Sequence, residues 1–220
     1  MLDRTRQQDI ADPAVLRAVG VDVVGVGAVG GMTAVTLAKM GVGRLRLFDP
    51  DIVETVNLAC QMYALADLSV AKALAAQRLC RELGDAEVEA VVGRGEDSVL
   101  EGIVVLAVDS MVARRSIWER RIVSSPRVAW LIDARMGAET GTIYTVRPGL
   151  SSQRRMYEMS LYTDEEAMPL PCTGRAIIYN TLWIAALISR QVKRIAMRQL
   201  VEWRIDFSLD DLTLFVDSHV

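Results

Sequence analysis

Three glycines near the start of the chain have the spacing of a phosphate-binding turn. Gly25, Gly27 and Gly30 lie at the end of a short, mostly β-branched run, Val21 to Val26, and before residues that favour a helix. In such a turn one glycine permits a tight bend, one lets a phosphate approach the backbone and one lets the helix pack against the strand. Amides at the start of that helix face the phosphate. The pattern therefore predicts a nucleotide site.

An acidic residue lies where such a site needs one. Asp49 follows Gly30 by 19 residues and ends a second predicted strand. A carboxylate at this position accepts hydrogen bonds from ribose hydroxyls. The turn and Asp49 together favour an adenine nucleotide over a purely structural turn. From these residues alone, that nucleotide could be NAD, FAD or ATP.

Strands and helices must alternate along the chain to position this turn. Hydrophobic patterning predicts strands at 21–26, 44–49, 87–92, 103–108, 128–133 and 142–147, helices at 32–40, 69–83, 111–123 and 175–196, and a hairpin from strands at 201–207 and 212–216. Alternation of this kind is typical of a parallel, doubly wound sheet. The predicted fold class is α/β, a Rossmann-like doubly wound and mostly parallel sheet with helices on both faces and a C-terminal antiparallel hairpin.

The length of 220 residues suits one domain, which we predict to span residues 1–220. Within it, residues 148–172 are polar and contain prolines. This stretch is too long for an ordinary connection in a compact domain, so the sequence predicts a long functional loop there. The apolar positions of the last helix are expected to form core or a dimer interface; they are Ile177, Ile178, Leu182, Ala185, Ala186 and Ile188.

Composition excludes several classes of protein. The chain carries 25 Lys plus Arg against 28 Asp plus Glu, a formal net charge of −3, and 51% of its residues are hydrophobic. Such a chain can bury a sizeable core, but it has no basic excess to neutralise a nucleic-acid backbone. No apolar run reaches the length of a membrane span. We therefore expect neither nucleic acid nor membrane as a partner.

Cysteine and histidine are scarce. The three cysteines, Cys60, Cys80 and Cys172, cannot supply a four-thiolate zinc site or a disulfide framework, and their spacing fits a reducing, cytoplasmic setting. Cys80 lies on an amphipathic helix and is expected in the core. The one histidine, His219, is next to the C-terminus, which argues against histidine catalysis. The sequence thus predicts a cytoplasmic protein without structural zinc.

A more specific pattern follows the second strand. The residues read Asp49-Pro50-Asp51-Ile52-Val53-Glu54-Thr55-Val56-Asn57-Leu58-Ala59-Cys60-Gln61. This stretch resembles the pattern D-x-D-x-V-x-x-x-N-L-x-R-Q of the ThiF and MoeB family, the bacterial relatives of ubiquitin-activating enzymes. Three further segments resemble patterns of the same family. Asp67 and Lys72 match D-x-G-x-x-K, with Ser69 in place of the glycine, and Asp109 and Arg114 match D-N-x-x-x-R. Arg6-Gln7 matches the end of R-Y-x-R-Q.

The resemblance implies an adenylation reaction. The C-terminal carboxylate of a small ubiquitin-like or sulfur-carrier protein, ending in Gly-Gly, would attack the α-phosphate of ATP and give an acyl-adenylate and pyrophosphate. No general base is needed, because the attacking carboxylate is already ionised. The expected cofactors are ATP and Mg²⁺.

The resemblance also assigns roles to single residues. Backbone at Gly25, Gly27 and Gly30 would hold phosphates, Asp49 would hold the ribose and Asp109 would hold the Mg²⁺. The nucleotide pocket would also include Asp51, Asn57 and Gln61. Lys72 would neutralise the transferring phosphate, and Arg6 would reach the triphosphate from the neighbouring subunit of a homodimer. Each has a structural alternative. Lys72 and Arg6 could be solvated surface charges, Asp109 could cap the next helix, and Asn57 could serve a turn.

The sequence departs from the family pattern at one phosphate-binding position. Cys60 stands where the family has arginine. Loss of one preorganised cation could cost a few kcal/mol of transition-state stabilisation. Either Arg114, Arg115 or Arg6 replaces that cation, or the protein binds nucleotide without adenylating efficiently. The two C-x-x-C zinc knuckles of many relatives are absent as well.

Cys172 is a candidate nucleophile. Pro169-Leu170-Pro171-Cys172-Thr173-Gly174-Arg175 resembles the P-x-C-T-x-R segment around the thioester cysteine of eukaryotic activating enzymes. A cysteine at a helix N-terminus beside an arginine should have a lowered thiol pKa. The alternative is a small buried residue that closes a loop.

Three functions compete at this stage. The first is adenylation, with thioester formation at Cys172 as an extension. The second is a catalytically impaired relative that binds nucleotide or a partner protein as a scaffold. The third is an NAD(P)-dependent oxidoreductase, supported only by the glycines and Asp49.

Overall fold

The computed structural model describes residues 2–162 and 176–218, and all of its named strands belong to one sheet. The eight strands, in chain order, are β1 Gly20–Val24, β2 Arg44–Asp49, β3 Glu87–Val92, β4 Gly102–Leu106, β5 Val128–Met136, β6 Thr140–Val146, β7 Arg204–Ser208 and β8 Thr213–Asp217. Their spatial order is β3-β2-β1-β4-β5-β6-β7-β8. The first five strands in this spatial order, β3-β2-β1-β4-β5, pair in parallel. The pairs β5–β6, β6–β7 and β7–β8 are antiparallel. The predicted fold class is confirmed.

The helices are α1 Pro13–Arg17, α2 Ala28–Met40, α3 Lys72–Leu83, α4 Met111–Ile117, α5 Ser151–Met159 and α6 Ile178–Ala196. One hydrophobic cluster packs α2, α3 and α6 on one face of the sheet, and a second packs α4 and α5 on the other. Cys80 of α3 has no exposed surface, as expected for a core residue. Because the sheet lies between two helical layers, the last four residues of β1 are all buried, including Asp22, which pairs with Arg46 of β2.

Among the boundaries that differ from prediction, two differ for identifiable local reasons. Helix α3 begins at Lys72 instead of residue 69, because Ser69 has a positive φ of 67°, which is incompatible with a right-handed helix. The predicted loop at 148–172 contains α5, so its first part is helical. Residues 163–172 of that loop lie outside the described residues.

The buried face of α6 also differs from prediction. Ile184, Ala185, Ile188 and Val192 are buried, whereas Leu182 is 49% exposed. Ile177 and Ile178 lie at the start of the helix and are exposed as well. When a helix has apolar residues on several faces, its sequence does not show which face packs against the rest of the protein. In α6, the buried face is the one that contacts α2.

Among the described residues, no helix is long and apolar enough to cross a membrane.

Candidate nucleotide site

The glycine turn, residues 25–30, can be formed only with glycine at two of its positions. Gly25 has a φ of 82°, and a Cβ there would lie 2.7 Å from the carbonyl oxygen of Ala107. A Cβ on Gly30 would lie 1.8 Å from the carbonyl oxygen of Gly25. The first glycine thus lets β1 bend against the end of β4, and the second lets α2 pack onto the bend.

Space remains on the outer side of this turn. Gly27 precedes α2 without a side-chain cap, and the first turn of the helix holds no acidic residue. A Cβ on Gly27 would have the Gln61 Nε2 as its nearest neighbour, at 3.8 Å. The Gln61 Oε1 is buried and has no hydrogen-bond partner among the described residues. Uncapped amides with adjacent space fit the phosphates of a nucleotide.

Asp49 holds the turn from the neighbouring strand. Its Oδ2 accepts a hydrogen bond from the Val26 amide at 2.8 Å, and its Oδ1 accepts one from the Asp51 amide at 2.9 Å. Burial raises the pKa of the Asp49 carboxyl, while these two amides and the charge of Lys72 act in the opposite direction. Each carboxylate oxygen can accept a second hydrogen bond, so Asp49 can also receive ribose hydroxyls.

Lys72 is the first residue of α3 and is buried. The whole residue is 8% exposed, so the surface-charge alternative is wrong. Its Nζ lies 2.9 Å from the Asp51 Oδ2, and its amide donates to the Asp51 carbonyl at 2.8 Å. Asp51 itself has an exposed side chain. The pair places a buried cation next to the strand end that carries Asp49.

Tyr63 belongs to this site, and sequence analysis missed it. The residue is 5% exposed, and its hydroxyl donates to the Val26 carbonyl at 2.5 Å. The same hydroxyl lies 3.2 Å from the Lys72 carbonyl. Nothing in the local sequence distinguishes this tyrosine from an ordinary core aromatic, because its partners are 37 and 9 residues away.

Asn57 and Cys60 occupy the turns between β2 and α3. The Asn57 Oδ1 accepts from the Glu54 amide at 2.9 Å, so its side chain serves a turn, as one alternative held. Burial raises the pKa of the Cys60 thiol, which keeps this position uncharged where the family pattern has a cation.

Both arginines of α4 that were candidates to replace that cation have partners within the protein. Arg114 is 3% exposed and pairs with Asp133 at 2.6 Å. Its Nη2 donates to the Val108 carbonyl at 2.6 Å. Arg115 donates to the Leu161 carbonyl at 2.6 Å. Arg114 is thus engaged by a carboxylate and a carbonyl and Arg115 by a carbonyl, while their role as the missing cation stays a prediction.

Asp109 is exposed and follows the end of β4 by three residues. It does not cap α4, because Ser110 is the cap residue and accepts from the Ala113 amide at 3.3 Å. A carboxylate oxygen at this edge is a ligand that suits Mg²⁺. Within residues 2–162 and 176–218, no group of three or more His, Cys, Asp or Glu side chains could hold a metal ion.

Arg6 lies at the opposite edge of the sheet. The turn that carries it, Thr5–Gln7, is exposed and is fixed to the end of α2: Arg4 donates to the Ala38 and Lys39 carbonyls, and Gln7 donates to the Met40 carbonyl. Helix α2 has 13 residues and is about 20 Å long, so Arg6 cannot reach the glycine turn of its own chain. Cys172 lies outside the described residues.

These features define a class of protein. The ThiF family profile matches residues 5–197, and the chain belongs to the ThiF family. The match covers the glycine turn, Asp49, Lys72 and Asp109.

Individual relatives are more distant. Ubiquitin-like modifier-activating enzyme 5 from Rattus norvegicus is 35% identical over 74 residues, which are 34% of this chain and 18% of the rat protein. A crystal structure of E. coli MccB with ATP has a TM-score of 0.74 at 18% identity and covers 94% of this chain and 65% of that chain. PaaA gives a TM-score of 0.73 at 19% identity, with 94% and 65% covered. The chain thus spans less than a fifth of the rat enzyme and just under two thirds of the solved chains.

Proposed function

We propose that this protein adenylates the C-terminal carboxylate of a small ubiquitin-like or sulfur-carrier protein ending in Gly-Gly. The observation that carries the proposal is the buried Lys72, held by Asp51 beside Asp49 and the glycine turn. A fixed cation at a phosphate site suits phosphoryl chemistry, and it has no evident task in hydride transfer. Crystal structures of the related fold of E. coli MccB include complexes with ATP and with AMPCPP and MccA.

The proposed reaction needs positioning more than acid or base. An oxygen of the substrate carboxylate forms a bond to the α-phosphorus of ATP. The bond from that phosphorus to the oxygen bridging to the β-phosphate breaks, and pyrophosphate leaves with the electron pair. The products are an acyl-adenylate and pyrophosphate.

The residues of the site divide this work. Amides of the glycine turn would bind phosphate oxygens, Asp49 would accept the ribose hydroxyls and Lys72 would stabilise negative charge on the transferring phosphate. Gln61 and Asn57 would line the pocket. Asp109 would hold Mg²⁺, which neutralises triphosphate charge when bound.

Thermal unfolding with nucleotides tests the proposal. Mg-ATP at about a hundred times its Kd should add roughly 2.7 kcal/mol and raise the Tm by about 5 to 10 °C. Lys72→Ala should abolish most of that shift, because the variant loses the cation at the phosphates. Lys39→Ala is the matched control, since Lys39 is exposed near the far end of α2. It should keep the wild-type shift.

Other outcomes would contradict the proposal. A shift with NAD or NADP alone would support an oxidoreductase instead, and no shift with any nucleotide would exclude ATP binding by the isolated protein. Partner-dependent release of pyrophosphate then separates adenylation from binding. A small β-grasp protein ending in Gly-Gly and encoded beside this gene would be the substrate to test.

A nucleotide-binding scaffold is the second candidate, and a specific observation favours it. Cys60 supplies no charge, and Arg114 and Arg115 are engaged elsewhere, so the described pocket has one cation fewer than the family pattern. ATP binding without pyrophosphate release in the presence of the partner would establish this function.

We further propose, on sequence alone, that Cys172 accepts the activated acyl group. Its thiolate sulfur would bond to the acyl carbonyl carbon, and AMP would leave with the electron pair. A reductant-sensitive conjugate with the partner that disappears in Cys172→Ala is the expected result. A conjugate that persists in Cys172→Ala would exclude the role.

A further inference from the structure

The two peptide units that flank Val26 in the glycine turn are each held by a side chain. The Val26 amide donates to the Asp49 Oδ2 at 2.8 Å, and the Val26 carbonyl accepts from the Tyr63 hydroxyl at 2.5 Å. Val26 has no exposed surface, and Tyr63 is 5% exposed. Both groups are thus fixed from inside the protein.

This arrangement sets the direction of the next amide. In a trans peptide the carbonyl of one residue and the N–H of the following residue point in opposite directions. No cis peptide bond occurs among the described residues. Since the Val26 carbonyl points inward to Tyr63, the Gly27 N–H points away from the core. At the same residue, an added Cβ would have no neighbour closer than the Gln61 Nε2, at 3.8 Å.

The same tyrosine also lies against the start of α3. Its hydroxyl is 3.2 Å from the carbonyl of Lys72, the residue that pairs with Asp51. Burial raises the pKa of the Tyr63 hydroxyl far above the physiological range, so the group remains a proton donor. One buried hydroxyl therefore lies between the glycine turn and the helix that carries the cation.

We propose that Tyr63 is a positioning residue for phosphate binding, which directs the Gly27 amide outward and fixes the start of α3 relative to the turn. The inference rests on the proposed function and adds a residue to it. Tyr63 does not touch the nucleotide. It acts through Val26 and Lys72.

Removal of the hydroxyl tests this role. Tyr63→Phe keeps the ring and leaves the Val26 carbonyl without its donor. We expect Mg-ATP to bind about 3- to 10-fold more weakly by titration calorimetry, the effect of losing one hydrogen bond. Affinity for adenosine, which has no phosphate, should stay within about twofold of wild type because the ribose site is intact.

Tyr157→Phe is the matched control. Tyr157 is fully buried and donates its hydroxyl to the Asp133 Oδ2 at 3.1 Å, with no contact to the turn. This variant loses a buried hydroxyl too, but it should bind Mg-ATP as wild type does. Equal weakening in both variants, or equal loss of ATP and adenosine in Tyr63→Phe, would show general destabilisation and overturn the inference.

Hydrogen exchange gives a readout that does not need a nucleotide. In Tyr63→Phe the amides of Gly27 and the first turn of α2 should exchange faster, and in Tyr157→Phe they should not. Unchanged exchange in Tyr63→Phe would overturn the inference. Failure of the wild type to bind ATP would instead contradict the proposed function, and the exchange result would still decide the role of Tyr63.

Discussion

At the scale of single residues, one carboxylate and one hydroxyl hold the glycine turn, and two of its positions leave no space for a side chain. Asp49 accepts from the Val26 amide and Tyr63 donates to the Val26 carbonyl, so they fix the peptide units before and after this residue. Gly25 and Gly30 are required by close contacts with neighbouring backbone. Gly27 differs, because it has space around it. Its role therefore concerns a ligand more than the fold.

Gly27→Ala should separate binding from folding. A Cβ at Gly27 has no neighbour closer than 3.8 Å, so the variant should fold. The new methyl group would stand where a phosphate approaches the backbone, and we expect Mg-ATP affinity to fall at least tenfold, about 1.4 kcal/mol. Titration calorimetry gives the affinity, and thermal unfolding reports the fold.

Gly149→Ala provides the comparison for this prediction. A Cβ at Gly149 meets nothing within 4 Å, and Gly149 is exposed between β6 and α5, away from the glycine turn. Its Mg-ATP affinity should match wild type. Wild-type affinity in Gly27→Ala would show that no phosphate approaches the turn at this point.

At the scale of elements, the start of α3 positions Lys72. The chain reverses at Ser69, whose φ of 67° is unusual for a residue with a side chain, and the helix begins three residues later. The family pattern has glycine at this position, which adopts such a φ without strain. Ser69 thus explains both the late start of α3 and the meaning of the glycine in the pattern.

Ser69→Gly should stabilise the protein. Relief of the left-handed conformation gains about 1 to 2 kcal/mol, and the greater freedom of glycine in the unfolded chain offsets about 0.4 to 1 kcal/mol of it. We expect a Tm increase of roughly 1 to 4 °C by calorimetry. Ser69→Ala keeps a Cβ at the same φ and should show no increase. A gain in the alanine variant would place the effect in the serine hydroxyl instead.

At the scale of the whole molecule, Arg6 and the glycine turn lie at opposite edges of the sheet. The segment that carries Arg6 is tied down by its neighbours, since Arg4 also pairs with Asp85 through two hydrogen bonds. Bonding to Arg4 holds the pKa of the Asp85 carboxyl well below its usual range, so the pair stays charged near neutral pH. Arg6 can therefore serve a nucleotide only in a second copy of the chain.

A mixing experiment tests this arrangement. A homodimer of Arg6→Ala has intact pockets but lacks the arginine that each partner subunit would supply. A homodimer of Lys72→Ala keeps Arg6 but has defective pockets. Random pairing of the two variants in a homodimer should restore about a quarter of the wild-type Mg-ATP sites, because half of the dimers are mixed and each has one complete site. Calorimetry of the co-expressed pair gives the number of sites.

Two results would contradict shared sites. If Arg6→Ala binds Mg-ATP with wild-type affinity, the arginine has no role in binding. If the co-expressed pair has no more sites than the separate variants, no residue is exchanged between subunits.

The sequence by itself predicted the fold class, the glycine turn and the position of Asp49. The hydrophobic period of strands and helices and the spacing of glycines are local properties, so they can be recognised without the tertiary structure. It also led to the ThiF family, through the residues from Asp49 to Gln61. Only the tertiary structure decided that Lys72 is buried against Asp51, that Arg114 is engaged by Asp133 and that Tyr63 holds the turn. Each of these contacts joins residues on different elements, and the pairing of distant side chains follows from how the sheet and its helices pack, which no local pattern encodes.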